Sequence, residues 1–279
     1  MPQLNGSIVL YKNDPKQIKQ VIDSFFNTKL KVKLYLIDNS PNDYLRHLSF
    51  GDNRIKYIYC NSNFGYGAGH NKAIRKTIIE KTKYHLVLNP DIYFESDVLS
   101  KAYRYMESNP NIGNLMPKVL YPDGRLQYLC KLLPTPFDLV QRRFNPIKKL
   151  CRKRNHKFEL RFCSYNKIMN VPSLSGCFMF IKAKALEEIG LFDENFFMYM
   201  EDFDLNRRMH LKYQTIFYPD ISITHEFAKS SYKQPKNLIF HIRSAIHYFN
   251  KWGWFLDKER ELINQKCLES LDYKDDIFA

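Results

Sequence analysis

Three stretches of this sequence put groups capable of chemistry at marked positions. The first is Tyr84-His-Leu-Val-Leu-Asn-Pro-Asp-Ile-Tyr93. Leu86, Val87 and Leu88 form a short apolar run, the pattern of a strand buried on both faces. Pro90 has no N–H to give, so the ladder stops there. Asp91 is thereby presented just past the carboxyl end of a central strand, the edge at which open α/β sheets bind ligands. A carboxylate there suits a hard divalent cation that also holds phosphate oxygens. Without its context the same stretch is equally a strand-ending turn with a solvated Asp.

The second stretch runs from Gly190 to Arg208. Glu201, Asp202 and Asp204 lie among Phe196, Phe197, Met198, Tyr199, Met200 and Phe203. Apolar surroundings raise a carboxyl pKa, which suits a proton acceptor near neutral pH. The same acids would complement a helix N-terminus, and both descriptions can hold at once. The third stretch is Asn61-Ser-Asn-Phe-Gly-Tyr-Gly-Ala-Gly-His-Asn71, leading into a helix. A glycine turn at a helix start offers free N–H groups to an anion. Its G-x-G-x-G spacing matches neither the dinucleotide fingerprint nor a P-loop, so a purely structural turn fits it as well. His225 stands near the end of a final apolar run, where a lone His is more often structural than a ligand.

Alternating elements must carry these groups. Ile8 to Tyr11, Lys33 to Ile37 and Ile55 to Tyr59 read as strands. Between the first two, Asp14 caps a helix with Pro15 at its first position and Gln17 completing a capping box. Strand, helix, strand implies parallel pairing with right-handed crossovers. A further helix is expected from Ser96 or Asp97 to Ser108. Ser175 to Ile181 reads as a buried strand, Ala183 to Ile189 as a helix ended by Gly190, and Tyr218 to His225 as the last strand. Residues 130 to 170 show no clear period and are expected to be a mobile or partner-dependent segment. The amphipathic stripe of Leu238, Ile242, Ala245, Ile246, Phe249, Trp252 and Leu256, with aromatics on other faces, suits either a membrane interface or a helix packed on two sides. The tail from Glu269 is expected to fray.

Composition narrows the classes. At 279 residues and 44% hydrophobic the chain is globular. No apolar run approaches the roughly 18 residues that span a bilayer, and the first residues do not read as a secretory signal. Six scattered cysteines without a C-x-x-C pair point away from structural zinc and disulfides and toward a reducing cytoplasm. The net charge of +14 suggests nucleic acid, anionic membrane or phosphorylated substrates. Eight Lys/Arg and no acid fall between Arg142 and Lys157.

Taken together, Asp38-Asn-Ser40, Asn63 to Asn71, Leu88-Asn-Pro-Asp91, Ser175-Gly-Cys-Phe178, Gly190 to Glu194, Phe196 to Leu205 and Tyr218-Pro219 with His225 resemble the inverting glycosyltransferases of family 2, and within them bacterial rhamnosyltransferase-like enzymes of surface polysaccharide synthesis. The resemblance covers residues 5 to 230. It implies an α/β fold of GT-A type: a Rossmann-like, mostly parallel central sheet flanked by helices. Residues 1–230 would form the transferase domain, with 1–120 as the nucleotide-sugar half and 171–230 as the half carrying the base; 231–279 would be a helical, membrane-associating extension. Donor-nucleotide contacts would come from Asp38, Asn39, Asn63, Gly65, Gly69, Asn71, Asn89 and Asp91. A magnesium or manganese ion would sit on Asp91 and His225. Asn89 stands where many relatives have the first carboxylate of Asp-x-Asp, which weakens that site. Asp202 would be the general base, beside Glu201.

The activity implied is transfer of a sugar from a nucleoside diphosphate, with dTDP-L-rhamnose one such donor, to a glycan or polyprenyl-diphosphate-linked hydroxyl. The enzyme would sit at the cytoplasmic face of the inner membrane, against its anionic lipid, with no role for nucleic acid. A nucleotidyltransferase is a second reading, although Tyr11-Lys-Asn-Asp-Pro15 lacks the basic glycine-rich signature expected after a first strand. A basic nucleic-acid-binding protein is a third, opposed by the acids at Asp91 and Glu201 to Asp204, which would repel phosphate.

Overall fold

The computed structural model describes residues 1–139, 148–226 and 235–274. It begins with the expected alternation. Strand β1 (Leu4–Leu10) leads to helix α1 (Pro15–Phe26), then β2 (Val32–Asp38), a 3-10 turn (Tyr44–Ser49), β3 (Ile55–Tyr59), α2 (Tyr66–Ile79) and β4 (Tyr84–Leu88). These four strands pair in parallel in the order β3-β2-β1-β4. Asp14 caps α1 by accepting from the Lys16 N–H, and Pro15 opens the helix. Gln17 does not close a capping box; its amide reaches Glu226 instead.

Strand β4 is buried along its whole length. Leu86 and Leu88 join the main core on one face, and Val87 joins a second cluster with Ile74 on the other. Alternation across a strand with helices on both faces makes such a run apolar throughout.

Beyond β4 the sheet is mixed rather than mostly parallel. β8 (Phe178–Lys182) runs antiparallel to both β4 and β6 (Ile112–Leu120), while β6 is parallel to β9 (Gln214–His225). Two short strands, β5 (Ile92–Tyr93) and β7 (Met169–Asn170), pair antiparallel with β9. The register of β6 on β9 jumps from Pro117↔Tyr218 to Lys118↔Ser222, so β9 carries three extra residues, Pro219, Asp220 and Ile221, at that point. Past this offset His225 falls opposite Ile92, one residue from Asp91.

Helices α3 (Val98–Ser108), α4 (Lys148–Phe158), α5 (Ala183–Ile189), α6 (Glu201–His210), α7 (Pro235–Trp252) and α8 (Lys258–Ser270) complete the chain. Ser96 does not cap α3. α5 ends at Gly190, whose φ of +84° suits glycine.

Two expectations change. Much of the segment from 130 to 170 is packed: Cys130, Leu133, Phe158, Leu160 and Tyr165 are buried, and the Asn264 side chain on α8 holds both the N–H and C=O of Leu133. Part of the basic block, residues 140–147, lies outside the described residues. The C-terminal helices are likewise part of the main body. Tyr248 and Phe249 are buried, whereas Ile242, Ile246 and Leu256 of the expected inner stripe are exposed. Aromatic volume fills the joint, and the isoleucines face out. No helix among the described residues is long and apolar enough to cross a membrane.

Candidate active site

The site lies where β4 ends, between α2, the turn before β8 and the start of α6. Tyr66, the first residue of α2, has its hydroxyl 2.6 Å from the Gly176 carbonyl oxygen and 3.1 Å from Asn89 Oδ1. The Gly176 N–H donates to Asp202 Oδ2 at 3.1 Å. The Asn89 N–H donates to the Cys177 carbonyl. One phenol thus links the strand end bearing Asp91 to the helix start bearing Asp202. Burial raises the Tyr66 pKa well above its usual value, and the charges of Glu201, Asp202 and Asp91 add to it. Burial likewise pushes the Cys177 thiol up to about 12, helped by Asp91 and Asp202. Both carboxylates therefore act on one small volume.

Backbone geometry aims α6 into that volume. Tyr199 and Met200 are both left-handed, with φ of +72° and +68°. Non-glycine residues rarely hold that conformation, and successive examples store strain at functional turns. Met200 offers no side-chain cap. Asp202 instead accepts from the Phe203 N–H through Oδ1, and the helix N-terminus favours its negative charge. On the other side of the joint, the Tyr66 N–H donates to the Phe197 carbonyl at 2.9 Å. Gly65 has φ of +88°, and a Cβ there would stand 2.1 Å from the Phe197 oxygen. Only glycine permits this approach.

Burial is deeper at Glu201 than at Asp202. Glu201 is buried, its Oε2 has no hydrogen-bond partner, and its pKa is pushed up to about 8 by burial first and the neighbouring Asp202 charge second. Glu201 therefore keeps its proton at neutral pH. Asp202 is half-buried and accepts hydrogen bonds from two backbone N–H groups, those of Gly176 and Phe203.

Asp91 Oδ1 lies 3.2 Å from His225 Nε2. The Gln127 amide nitrogen donates to the His225 and Leu120 carbonyls, which turns its oxygen toward His225 Nδ1 at 3.1 Å. Nδ1 then donates to that oxygen, which leaves Nε2 as the ring atom that faces the carboxylate. Two such atoms face each other favourably only with a proton or a cation beside them. The donor pair, one carboxylate and one imidazole with its far nitrogen fixed by an outer partner, fits a divalent ion. Among the described residues no cluster of three or more His, Cys, Asp and Glu side chains forms a fuller cage.

Other candidate donor contacts are engaged within the protein. Asp38 is fully buried, with one oxygen on the Ser40 N–H and the other on the Tyr57 hydroxyl. Asn39 donates to the Gly65 carbonyl, and half-buried Asn63 accepts from the Gly65 N–H. Gly69 and Asn71, read from sequence as lining the nucleotide side, are inside α2. Gly69 packs against Val9, and Asn71 is buried with its amide on the Phe192 carbonyl and Glu194. Only Gly65 precedes the helix, and Gly67 and Gly69 are buried within its first turn. Tyr66 and Gly176 enter the sequence reading only as members of longer motifs, with no role of their own, and Gln127 not at all. A tyrosine at a helix start and a glycine before a strand carry no signal of their own; both matter through long-range contacts.

A mixed α/β sheet with acids gathered past its middle strand defines a protein of GT-A type. Solved structures agree in fold: GalNAc-T7 with UDP, GalNAc and Mn2+ superposes with a TM-score of 0.61 at 13% identity, over 80% of this chain and 43% of that one. S. aureus TarS (residues 1–349) superposes at 0.58 and 14% identity, over 95% of this chain and 70% of that one. The sequence profile described as Glycosyl transferase family 2 matches residues 7–190, and the chain belongs to that family. Among curated relatives, the Haloferax volcanii low-salt glycan biosynthesis hexosyltransferase Agl10 is 27% identical over 73% of this chain, which spans 60% of that relative's length. The Mycobacterium tuberculosis N-acetylglucosaminyl-diphospho-decaprenol L-rhamnosyltransferase is 23% identical over 88% of this chain and 84% of its own.

Proposed function

We propose that this chain moves a sugar from a nucleoside-diphosphate donor to an acceptor hydroxyl with inversion at the anomeric carbon. The observation that carries the reading is the single hydrogen-bonded joint of Asn89, Tyr66 and Gly176, which brings Asp91 and Asp202 to one place. Asp202 takes the acceptor's proton as the oxygen attacks, and the two N–H groups it accepts hold the carboxylate in line. Protonated Glu201 leaves a single negative charge on the pair, so the base is not opposed by a like charge at its side. Asp91 and His225 would hold a magnesium or manganese ion, which when bound neutralises charge on the departing diphosphate. The likeness to a rhamnosyltransferase acting on a diphospho-decaprenol-linked sugar supports L-rhamnose from its dTDP form as donor and a lipid-linked glycan as acceptor. A lipid-linked acceptor would call for peripheral attachment at a membrane, which this reading puts at the cytoplasmic face of the inner membrane.

Asp202→Asn is expected to lower transfer by about 10²–10⁴ while thermal stabilisation by the nucleoside diphosphate survives. Near-normal turnover in that variant would remove Asp202 from the role.

A further inference from the structure

Asp202 is tied at both ends to the turn before β8. Its carboxylate accepts from the Gly176 N–H. Its main-chain carbonyl accepts from Asn206 Nδ2 at 2.8 Å, and the same nitrogen donates to the Leu174 carbonyl, also at 2.8 Å. Asn206 stands one turn further along α6. Two carbonyl oxygens on one side decide which way its amide faces. Oδ1 is then left for Asn114, whose Nδ2 donates to it at 2.9 Å. Asn114 lies on β6, opposite Ile181 of β8 and Thr215 of β9. The chain of amides therefore runs from the middle of the sheet, through Asn206, to the two segments that hold the base.

Both amides are fully buried. Arg207 and Asp204 lie on the flank of α6 that meets the C-terminal helices; Asn206 lies on the flank that meets the sheet and is neutral. For folding, an apolar pair of the same shape does nearly as well as a buried polar pair. Asn114 tilts that balance further, because its Oδ1 is buried with no hydrogen-bond partner among the described residues. What an apolar pair lacks is direction. Contact alone lets a helix slide against a turn, whereas three hydrogen bonds set the register between them. The bond from Gly176 to Asp202, at 3.1 Å, has little slack to absorb such a slide.

We propose that Asn206, rooted on Asn114, is a positioning residue for sugar transfer. It sets the distance between the turn at 174–176 and the start of α6, and so aims the Asp202 carboxylate at the acceptor hydroxyl. It acts through Asp202 alone. This deepens the sugar-transfer reading and rests on Asp202 being its base.

The test is a double-mutant cycle on the full chain, with a nucleotide sugar that wild type turns over, chosen from a panel. Asn206→Leu is expected to lower kcat by about 10²-fold, the scale of a base misplaced by a fraction of a bond length to an ångström. KM for the donor and thermal stabilisation by the nucleoside diphosphate should not change. In an Asp202→Asn background the same change should cost less than about twofold, because residues that act as a unit are not additive. Asn114→Leu leaves both donations of Asn206 in place and removes one hydrogen bond, so kcat should fall by about tenfold with the same signature. This milder cut decides the matter if Asn206→Leu does not fold. Normal kcat in Asn114→Leu, a raised KM, or a loss of equal size in both backgrounds would overturn the proposal, the last by making the amides merely structural. Near-normal turnover in Asp202→Asn, or a wild type that turns over no nucleotide sugar, would instead sink the sugar-transfer reading and this inference with it. Normal asparagine variants beside an inactive Asp202→Asn would overturn this inference alone.

Discussion

The two halves of the sheet solve the problem of buried polarity in opposite ways. Under β1 to β4, Thr77, His85, Ser7 and His70 form a continuous buried chain with links of 2.7, 2.8 and 2.7 Å. Burial lowers the His85 pKa to about 3 and drives that of His70 well below its ordinary value, so both rings are neutral. Around α6 the buried groups are charged. Arg207, with 1% of its side chain exposed, holds Asp257 through two hydrogen bonds and Glu259 through a third. Asp204, fully buried, meets Arg208, Lys251 and the Trp252 indole. A neutral network stiffens a cradle without making it responsive. A charged one ties the C-terminal helices to α6 and leaves that joint open to pH.

The largest expected effect breaks the charged half. Arg207→Met strands Asp257 in the interior and should cost about 3–5 kcal/mol in a denaturant titration. A loss under 1 kcal/mol would mean that the tail is not bolted to α6. Ser7→Ala cuts the neutral chain at its centre and should cost about 1–3 kcal/mol, equally at low and high salt; a loss that shrinks with salt would show the chain to be charged. A third test, read in the pH profile, is Glu201→Gln. Its folded pKa of about 8 exceeds the ordinary 4.5, so between those values the folded state holds a proton that the unfolded state has released. That contribution is complete below pH 4.5 and is lost as pH rises to 8, with a slope of at most about 1.4 kcal/mol per pH unit. The variant should flatten the wild-type fall in thermal midpoint across this window. An unchanged profile would place the buried proton elsewhere.

How much was legible follows from how local each signal is. β3 matches its sequence bounds, and the Asp14-Pro15 helix start was visible because capping and fixed φ act over three residues. β6 was hidden because Pro117 interrupts it; the sheet accepts a proline where the register on β9 shifts. The helical period of α7 was plain, but its direction was not, because amphipathicity alone cannot say whether aromatic or aliphatic residues face inward. Asp202, Asp91 and His225 were marked by residue type and place, yet the joint that Tyr66 and Gly176 make was not, because they sit in separate motifs 110 residues apart. The close packing of the glycine run was hidden for the same reason: its neighbours Val9, Phe192 and Phe197 are all distant in sequence.

The three residues that β9 carries beyond its partner, Pro219 to Ile221, give the imidazole a hidden dependence. Strand side chains alternate, so parity of length decides which way each one points. A one-residue deletion that the offset failed to absorb would send the ring of His225 to the other side of the strand. In relatives that differ in length here, the count of residues before the histidine, and not the letter alone, decides where its ring points.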